Sequence, residues 1–188
     1  MLFAESLIRP LLVVHLIAAA VLVGATTHQL VWCRHYLRGR FGRVKAEKRF
    51  ATISAVCFVI TFVLGNLLYP TYKVRVRAEY FDSPAAVAAE ARLRAEQHHE
   101  VAGAPQAGPQ ATSLSAVSHV FDIKEHLVAL GLAASLALWL LSRRAHPETH
   151  PPVLPLYLGL ALFQCTTAWS GAIIGVVTAS FRSVGGLS

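Results

Sequence analysis

The chain has 188 residues, of which 55% are hydrophobic and only 14% are charged. This composition is too apolar for an ordinary soluble domain of this length, and it indicates a small integral membrane protein with a single domain. The formal net charge of +7 lies mainly in stretches between apolar segments, so it reports membrane topology and not a nucleic-acid partner. The three cysteines, Cys33, Cys57 and Cys165, are too scattered for a disulfide framework or a thiolate metal site.

Four apolar segments are long enough to cross a hydrocarbon core of about 30 Å as α-helices. Pro10 suits the first turn of the first helix, where a missing N–H has no cost, and Pro70 is expected to end the second helix. The sequence therefore predicts an all-α, integral membrane four-helix bundle with up-down-up-down topology. The four predicted helices cover residues 10–32, 50–69, 118–141 and 153–177.

The second and third helices are separated by a long hydrophilic loop over residues 71–117. Within it, residues 72–77 carry a weak strand signal and residues 85–99 have the pattern of a surface helix. Residues 103–115 are rich in Gly, Pro, Ala, Gln and Ser, which is typical of a flexible linker.

The predicted orientation follows from the loops. Residues 33–49 and 142–152 carry nine Lys/Arg and two Asp/Glu, whereas the rest of the chain carries eight of each. Because cytoplasmic loops are enriched in Lys and Arg, we expect these two loops to be cytoplasmic. Both termini and the loop 71–117 would then be extracytoplasmic, in a bacterial inner or plasma membrane.

Polar residues or glycines of three helices are predicted to lie at one depth, counted in residues from the outer membrane surface. His15 and His126 each lie about five residues inside their helices, and Gly65 and Asn66 lie about four to five residues from the outer end of the second. Two histidines at equal depth on facing helices can supply both axial ligands of a b-type haem, and a glycine at that depth makes room for the ring. The sequence predicts one haem b held by His15 and His126.

Other polar residues near this depth have subsidiary roles in the prediction. His119 lies seven residues before His126, on the same helix face, and is the alternative partner of His15. The haem propionates would face the outer side, where basic side chains can pair with them. The candidates for that pairing are Lys124, Arg75 and Arg77.

A plainer interpretation remains open for each of these histidines. A histidine near a membrane interface is more often a hydrogen-bonded structural group than a ligand. His28, at the other end of the first helix, is most simply structural, although it can also contact a quinone or a propionate. Gly171 and Gly175 form a GxxxG pattern that favours close helix packing, either inside the monomer or between two copies.

The first helix, LLVVHLIAAAVLVGATTHQL, resembles the first helix of the CopD-like and HemJ-like membrane proteins. The stretch FDIKEHLVALGLA is loosely similar to a later helix of that group. These are small helical-bundle proteins linked to copper handling and to protoporphyrinogen oxidation. The resemblance implies a haem-binding role through His15, with Lys124 or His126 as a second participant.

Three functions remain in competition. The first is a membrane-embedded b-type haem protein that exchanges electrons with a quinone or a partner redox subunit. The second is a non-redox accessory or assembly subunit of a larger membrane complex, with the loop 71–117 docking a partner protein. The third is a metal or proton transporter that uses His15, His119, Asp122 and His126. We rank it lowest, because His119 and His126 are too far apart on one helix to bind a single ion.

Overall fold

The computed structural model describes the chain over residues 5–73, at residues 85, 88 and 92, and over residues 111–181. Side chains are described for residues 7–73, 85, 88, 92 and 123–178. The described chain forms four long α-helices and one short 3₁₀ turn at Pro151–Val153. The helices are α1 (Glu5–Tyr36), α2 (Val44–Tyr72), α3 (Ala111–Arg144) and α4 (Leu154–Phe181).

The helices form a bundle in which each one packs against two neighbours. Helix α1 contacts α2 and α4, and α3 contacts the same two helices. The amide of Gln164, one-third of the way along α4, meets Gln29 near the end of α1, and Arg143 at the end of α3 reaches Thr52 near the start of α2. Neighbouring helices are therefore antiparallel, and the predicted four-helix architecture is confirmed.

All four helices are long and apolar enough to cross a membrane. Their outward faces are aliphatic, as at Leu16 and Val176, which are 65% and 67% exposed. Their inward faces carry small and polar side chains, such as Ser54, Thr61 and Ser135. This distribution suits a bilayer, where lipid solvates the aliphatic side chains and small residues let the helices approach closely.

Each helix extends beyond its predicted range at one end or at both, and charged residues continue α1, α2 and α3 at the end of the bundle that carries residues 37–43. Lys45 and Lys48, predicted to lie in a loop, belong to the first turns of α2. The prediction that Pro70 ends the second helix is wrong, since α2 continues to Tyr72. A proline removes one N–H donor and crowds the preceding turn, which a helix tolerates most easily close to its end. Pro10 likewise lies inside α1, which begins at Glu5.

The long loop is described at only a few positions. Ala85, Ala88 and Arg92, within the predicted surface helix, are helical and exposed. The predicted strand over residues 72–77 begins inside α2 and otherwise lies outside the described residues, as do Arg75, Arg77 and the predicted linker.

The bundle has two ends, which we call the basic-loop end and the opposite end. The basic-loop end carries the connections between α1 and α2 (residues 37–43) and between α3 and α4 (residues 145–153). The opposite end carries the start of α1 and the end of α2. A core cluster that includes Cys33, Leu138 and Tyr157 fills the basic-loop end.

Candidate functional site

Near the opposite end, four residues from four helices form one group, which we call the His15–Lys124 layer. It consists of His15 on α1, Gly65 on α2, Lys124 on α3 and Gly175 on α4. Each glycine faces one of the two basic side chains, and Lys124 is close enough to His15 to interact with it electrostatically. Two nitrogen bases are thus brought together inside an apolar bundle.

His15 is half-buried on α1 and lies beside the Thr61 turn of α2. A β-carbon added at Gly65 would lie 3.8 Å from His15 Cε1, and no other atom would be within 4 Å of it. The Nδ1 atom of His15 is buried and makes no hydrogen bond within the described part of the chain. The predicted proximity of His15 and Gly65 therefore occurs in the structure, with a ring nitrogen that still has a lone pair to donate.

Lys124 enters the same layer from α3. Its Nζ lies 3.2 Å from the position that a β-carbon at Gly175 would occupy. One turn earlier on α4, the corresponding position at Gly171 is 3.5 Å from Val128 Cγ2. The GxxxG pattern therefore packs α4 against α3 within the monomer, and Gly175 leaves space for the lysine ammonium group.

The orientation of α3 separates Lys124 from His126. The inward face of α3 includes Val128, Gly131 and Leu138, which follow Lys124 at helical spacing. His126 lies two residues after Lys124, about 200° further around the helix. Its side chain is exposed, so the prediction that it is buried level with His15 is wrong. Depth along the helix axis does not fix the rotation of a helix, and the rotation of α3 turns His126 outward.

One further predicted residue, Asn66, also lies away from the layer. Asn66 is exposed, and its amide donates a hydrogen bond of 2.8 Å to the carbonyl of Phe62 on its own helix. His119 lies on α3, but its side chain is outside the described part of the structure. Its role as an alternative ligand stays a prediction.

His28 has aromatic neighbours near the basic-loop end. Its ring centroid lies 6.1 Å from that of Trp32 and 5.6 Å from that of Phe50, and its side chain is exposed. Among the described side chains, no group of three or more His, Cys, Asp or Glu residues is placed to hold a metal ion. The described residues therefore give no support to a multi-histidine ion-transport site.

A second polar group, at the basic-loop end, was missed from the sequence. Glu47 and His146 belong to the stretches 33–49 and 142–152, which were predicted to be cytoplasmic loops, yet their side chains are 0% and 5% exposed. Gln29 and Gln164 join Glu47 through buried hydrogen bonds. One signal was available: Glu47 is the only acid in the basic stretch 33–49.

The two polar groups therefore lie at opposite ends of one apolar bundle, and the His15–Lys124 layer is the one that the sequence had indicated. No protein-family model, curated protein or solved structure matches this chain.

Proposed function

We propose that this chain is a membrane-embedded b-type haem protein that takes part in electron transfer, with His15 as a ligand of the haem iron. The observation that carries the proposal is the buried Nδ1 of His15, which makes no hydrogen bond within the described residues, on a ring that faces Gly65. A buried polar atom without a partner is costly, and an imidazole nitrogen is a common axial ligand of haem. Ligation would remove that cost.

The residues around His15 fit such a group. Gly65 lets the His15 ring lie close to α2, because a β-carbon at this position would be 3.8 Å from His15 Cε1. The Lys124 ammonium can pair with a propionate carboxylate, since charge-assisted hydrogen bonds are among the stronger ones in proteins. Arg75 and Arg77 keep their predicted role in the same pairing. When bound, the haem supplies one-electron redox chemistry, and the electron partner would be a quinone or another redox subunit.

We change one part of the sequence prediction, namely the residue that acts together with His15. His126 lies on the exposed face of α3, whereas Lys124 lies in the layer with His15. This placement favours Lys124 over His126 as the residue that acts together with His15. We therefore expect His15 to be indispensable for haem binding and His126 to contribute much less.

An optical spectrum of the detergent-purified full chain, oxidised and reduced, tests the proposal. We expect a Soret band that shifts on reduction and that is lost in His15→Ala. His28→Ala is the matched control on the same helix, and it should keep the band. Gly65→Leu should lose the band because it fills the space beside His15, whereas Gly159→Leu should keep it because no atom lies near that position.

A purified protein without a Soret band would overturn the proposal. If that colourless protein also copurified with a larger membrane assembly, the accessory-subunit function would take its place. An unchanged Soret band in His15→Ala would equally exclude His15 as the ligand.

We also propose that the basic-loop end faces the cytoplasm of a bacterial cell, with both termini and the loop 71–117 outside. The support is the excess of Lys and Arg at that end. A single cysteine at the exposed Arg38, in a chain without Cys33, Cys57 and Cys165, should be protected from a membrane-impermeant maleimide in intact cells. Rapid labelling of this cysteine in intact cells would show that the basic-loop end faces the outside of the cell.

A further inference from the structure

A chain of buried polar side chains links three helices at the basic-loop end. Glu47, in the first turn of α2, is fully buried. Its Oε1 accepts a hydrogen bond of 2.8 Å from Gln29 Nε2 on α1. The Oε1 atom of Gln29 in turn accepts one of 2.6 Å from Gln164 Nε2 on α4. The side-chain amide of Gln29 therefore holds one carboxyl oxygen of Glu47, and Gln164 extends this chain of hydrogen bonds towards the middle of the bundle.

The other carboxyl oxygen faces the connection between α3 and α4. Glu47 Oε2 lies 3.6 Å from Nε2 of His146, and the Tyr157 hydroxyl of α4 also interacts with the Glu47 carboxyl group. His146 lies next to the exposed residues Glu148 and Thr149. His146 is thus placed between the surface of the basic-loop end and the buried carboxyl group.

The hydrogen bonds of His146 define its tautomer. Its Nδ1 accepts a hydrogen bond of 3.2 Å from the backbone N–H of Glu148, so the proton of the neutral ring is on Nε2. That nitrogen lies 3.3 Å from the Tyr36 hydroxyl as well as near Glu47. Burial, helped by the nearby Lys48 ammonium, lowers the pKa of His146. A neutral His146 does not balance a carboxylate charge on Glu47.

Among the residues that the structure describes, no lysine or arginine forms an ion pair with Glu47. Lys48, the next residue along α2, influences Glu47 through space, without an ion pair. A fully buried carboxyl group is stable when it is ion-paired or when it carries a proton. The titratable and charged groups that face it are Cys33 and Tyr36 from α1, Lys48 from α2, His146 from the α3–α4 connection and Tyr157 from α4.

We propose that Glu47 and His146 form a proton-binding site inside the bundle, which is loaded from the basic-loop end through His146. A proton from water binds Nδ1 of His146 and replaces the hydrogen bond from the Glu148 N–H. A side-chain movement that closes the 3.6 Å between Nε2 and Glu47 Oε2 to hydrogen-bond distance lets the Nε2 proton pass to Oε2. Glu47 becomes a neutral carboxylic acid, and the ring is neutral again with its remaining proton on Nδ1. Release runs through the same steps in reverse.

This site is separate from the His15–Lys124 layer at the opposite end of the bundle, and it does not depend on the binding of haem. The competing explanation is a fixed polar core, in which Glu47 only holds α1, α2 and α4 together. A proton-binding site must exchange its proton with water, whereas a fixed core need not.

Infrared difference spectroscopy of the full chain in lipid nanodiscs can distinguish these explanations. We expect a carboxylic-acid C=O band that grows as the pH is lowered and that shifts in heavy water. It should be absent in Glu47→Gln and shifted in Glu47→Asp. Glu148→Gln, which removes the exposed acid beside His146, is the matched control and should keep the band. His146→Asn should slow hydrogen–deuterium exchange of this band on the order of 100-fold, the scale of a positioned acid–base group.

Three results would overturn the proposal. The first is the lack of a titrating band, combined with a lower melting temperature of Glu47→Gln, which would identify a permanently charged structural residue. The second is a band that neither titrates nor exchanges. The third is unchanged exchange in His146→Asn, which would remove the route through His146. Should Glu47→Gln fail to fold, the shift in Glu47→Asp still assigns the band, because that variant keeps the carboxyl group.

Discussion

At Gly131 the bundle has no room for even one additional methyl group. A β-carbon there would lie 2.9 Å from Phe58 Cε1 on α2, and it would overlap the Thr167 hydroxyl of α4. Phe58 is 1% exposed and Thr167 is 3% exposed, so neither side chain can move into open space. The close approach of α3 to both neighbours therefore depends on the absence of a side chain at this residue.

We expect Gly131→Ala to destabilise the bundle by about 1–3 kcal/mol, the usual cost of overpacking a core. Alanine favours a helix over glycine by about 1 kcal/mol, and this gain offsets only part of that cost. Gly159→Ala is the matched control on α4, since no atom lies within 4 Å of its β-position, and it should leave the stability unchanged or raise it. Thermal unfolding in detergent measures both variants. Equal melting temperatures would show that α3 can shift to accept the methyl group.

At the scale of a residue, the sequence was sufficient to place His15 near Gly65. Both residues lie on helices whose depth can be counted from their apolar limits, and the position that a β-carbon at Gly65 would take lies 3.8 Å from His15 Cε1. It was not sufficient for His126, because depth fixes a position along the helix axis and not around it. Lys124 was proposed as an anchor for a propionate and, from the resemblance, as one of two candidates for the second participant, and it is the described α3 residue that interacts with His15.

At the scale of an element, the rotation of α3 decides which of its polar residues enter the bundle. The inward face runs through Lys124, Val128, Gly131 and Leu138, whereas Leu130 lies on the outer face. Leu138 is 0% exposed and Leu130 is 56% exposed. Both are leucines on one apolar segment, so composition alone does not separate them. Contacts with α2 and α4 fix the rotation.

Site-directed spin labelling tests this rotation. In a chain whose three native cysteines are replaced by alanine, a nitroxide at Leu130→Cys should be mobile and accessible to oxygen dissolved in the bilayer. A nitroxide at Leu138→Cys should be immobilised and protected, because that position is buried against α1 and α4 residues of the core. Similar accessibility at both positions would contradict the orientation of α3 and, with it, the pairing of Lys124 with His15.

At the scale of the whole molecule, the connection after α3 closes the basic-loop end of the bundle. His146 approaches Tyr36 of α1 and Glu47 of α2, and its ring centroid lies 5.8 Å from that of Tyr157 on α4. One residue of a short connection therefore contacts three helices. The titration of this residue should influence the stability of the complete fold.

We expect the contribution of His146 to the melting temperature to fall as the pH drops below the ordinary histidine value of 6.5. The pKa of His146 is lower in the folded state, mainly because of burial, so the unfolded chain binds a proton first. The stability is fully present above that value, and it is lost as the pH falls towards the folded-state pKa. His146→Gln should flatten this dependence, whereas the control His150→Gln should not, because His150 is exposed. If the melting temperatures of His146→Gln and His150→Gln depended on pH in the same way, His146 would be excluded as the cause of the pH dependence.

The sequence by itself determined that the chain forms four membrane-spanning helices, because a run of about 20 apolar residues has few other stable structures. It also determined the depth of His15, because its distance from the start of an apolar segment can be counted. The tertiary structure alone decided which side chains meet across the bundle. Glu47, Gln29 and Gln164 come from three helices, and their contacts depend on how each helix is rotated and shifted. Helices that are apolar around most of their circumference carry little periodic signal for that rotation, so close packing at residues such as Gly131 and Gly171 settles it.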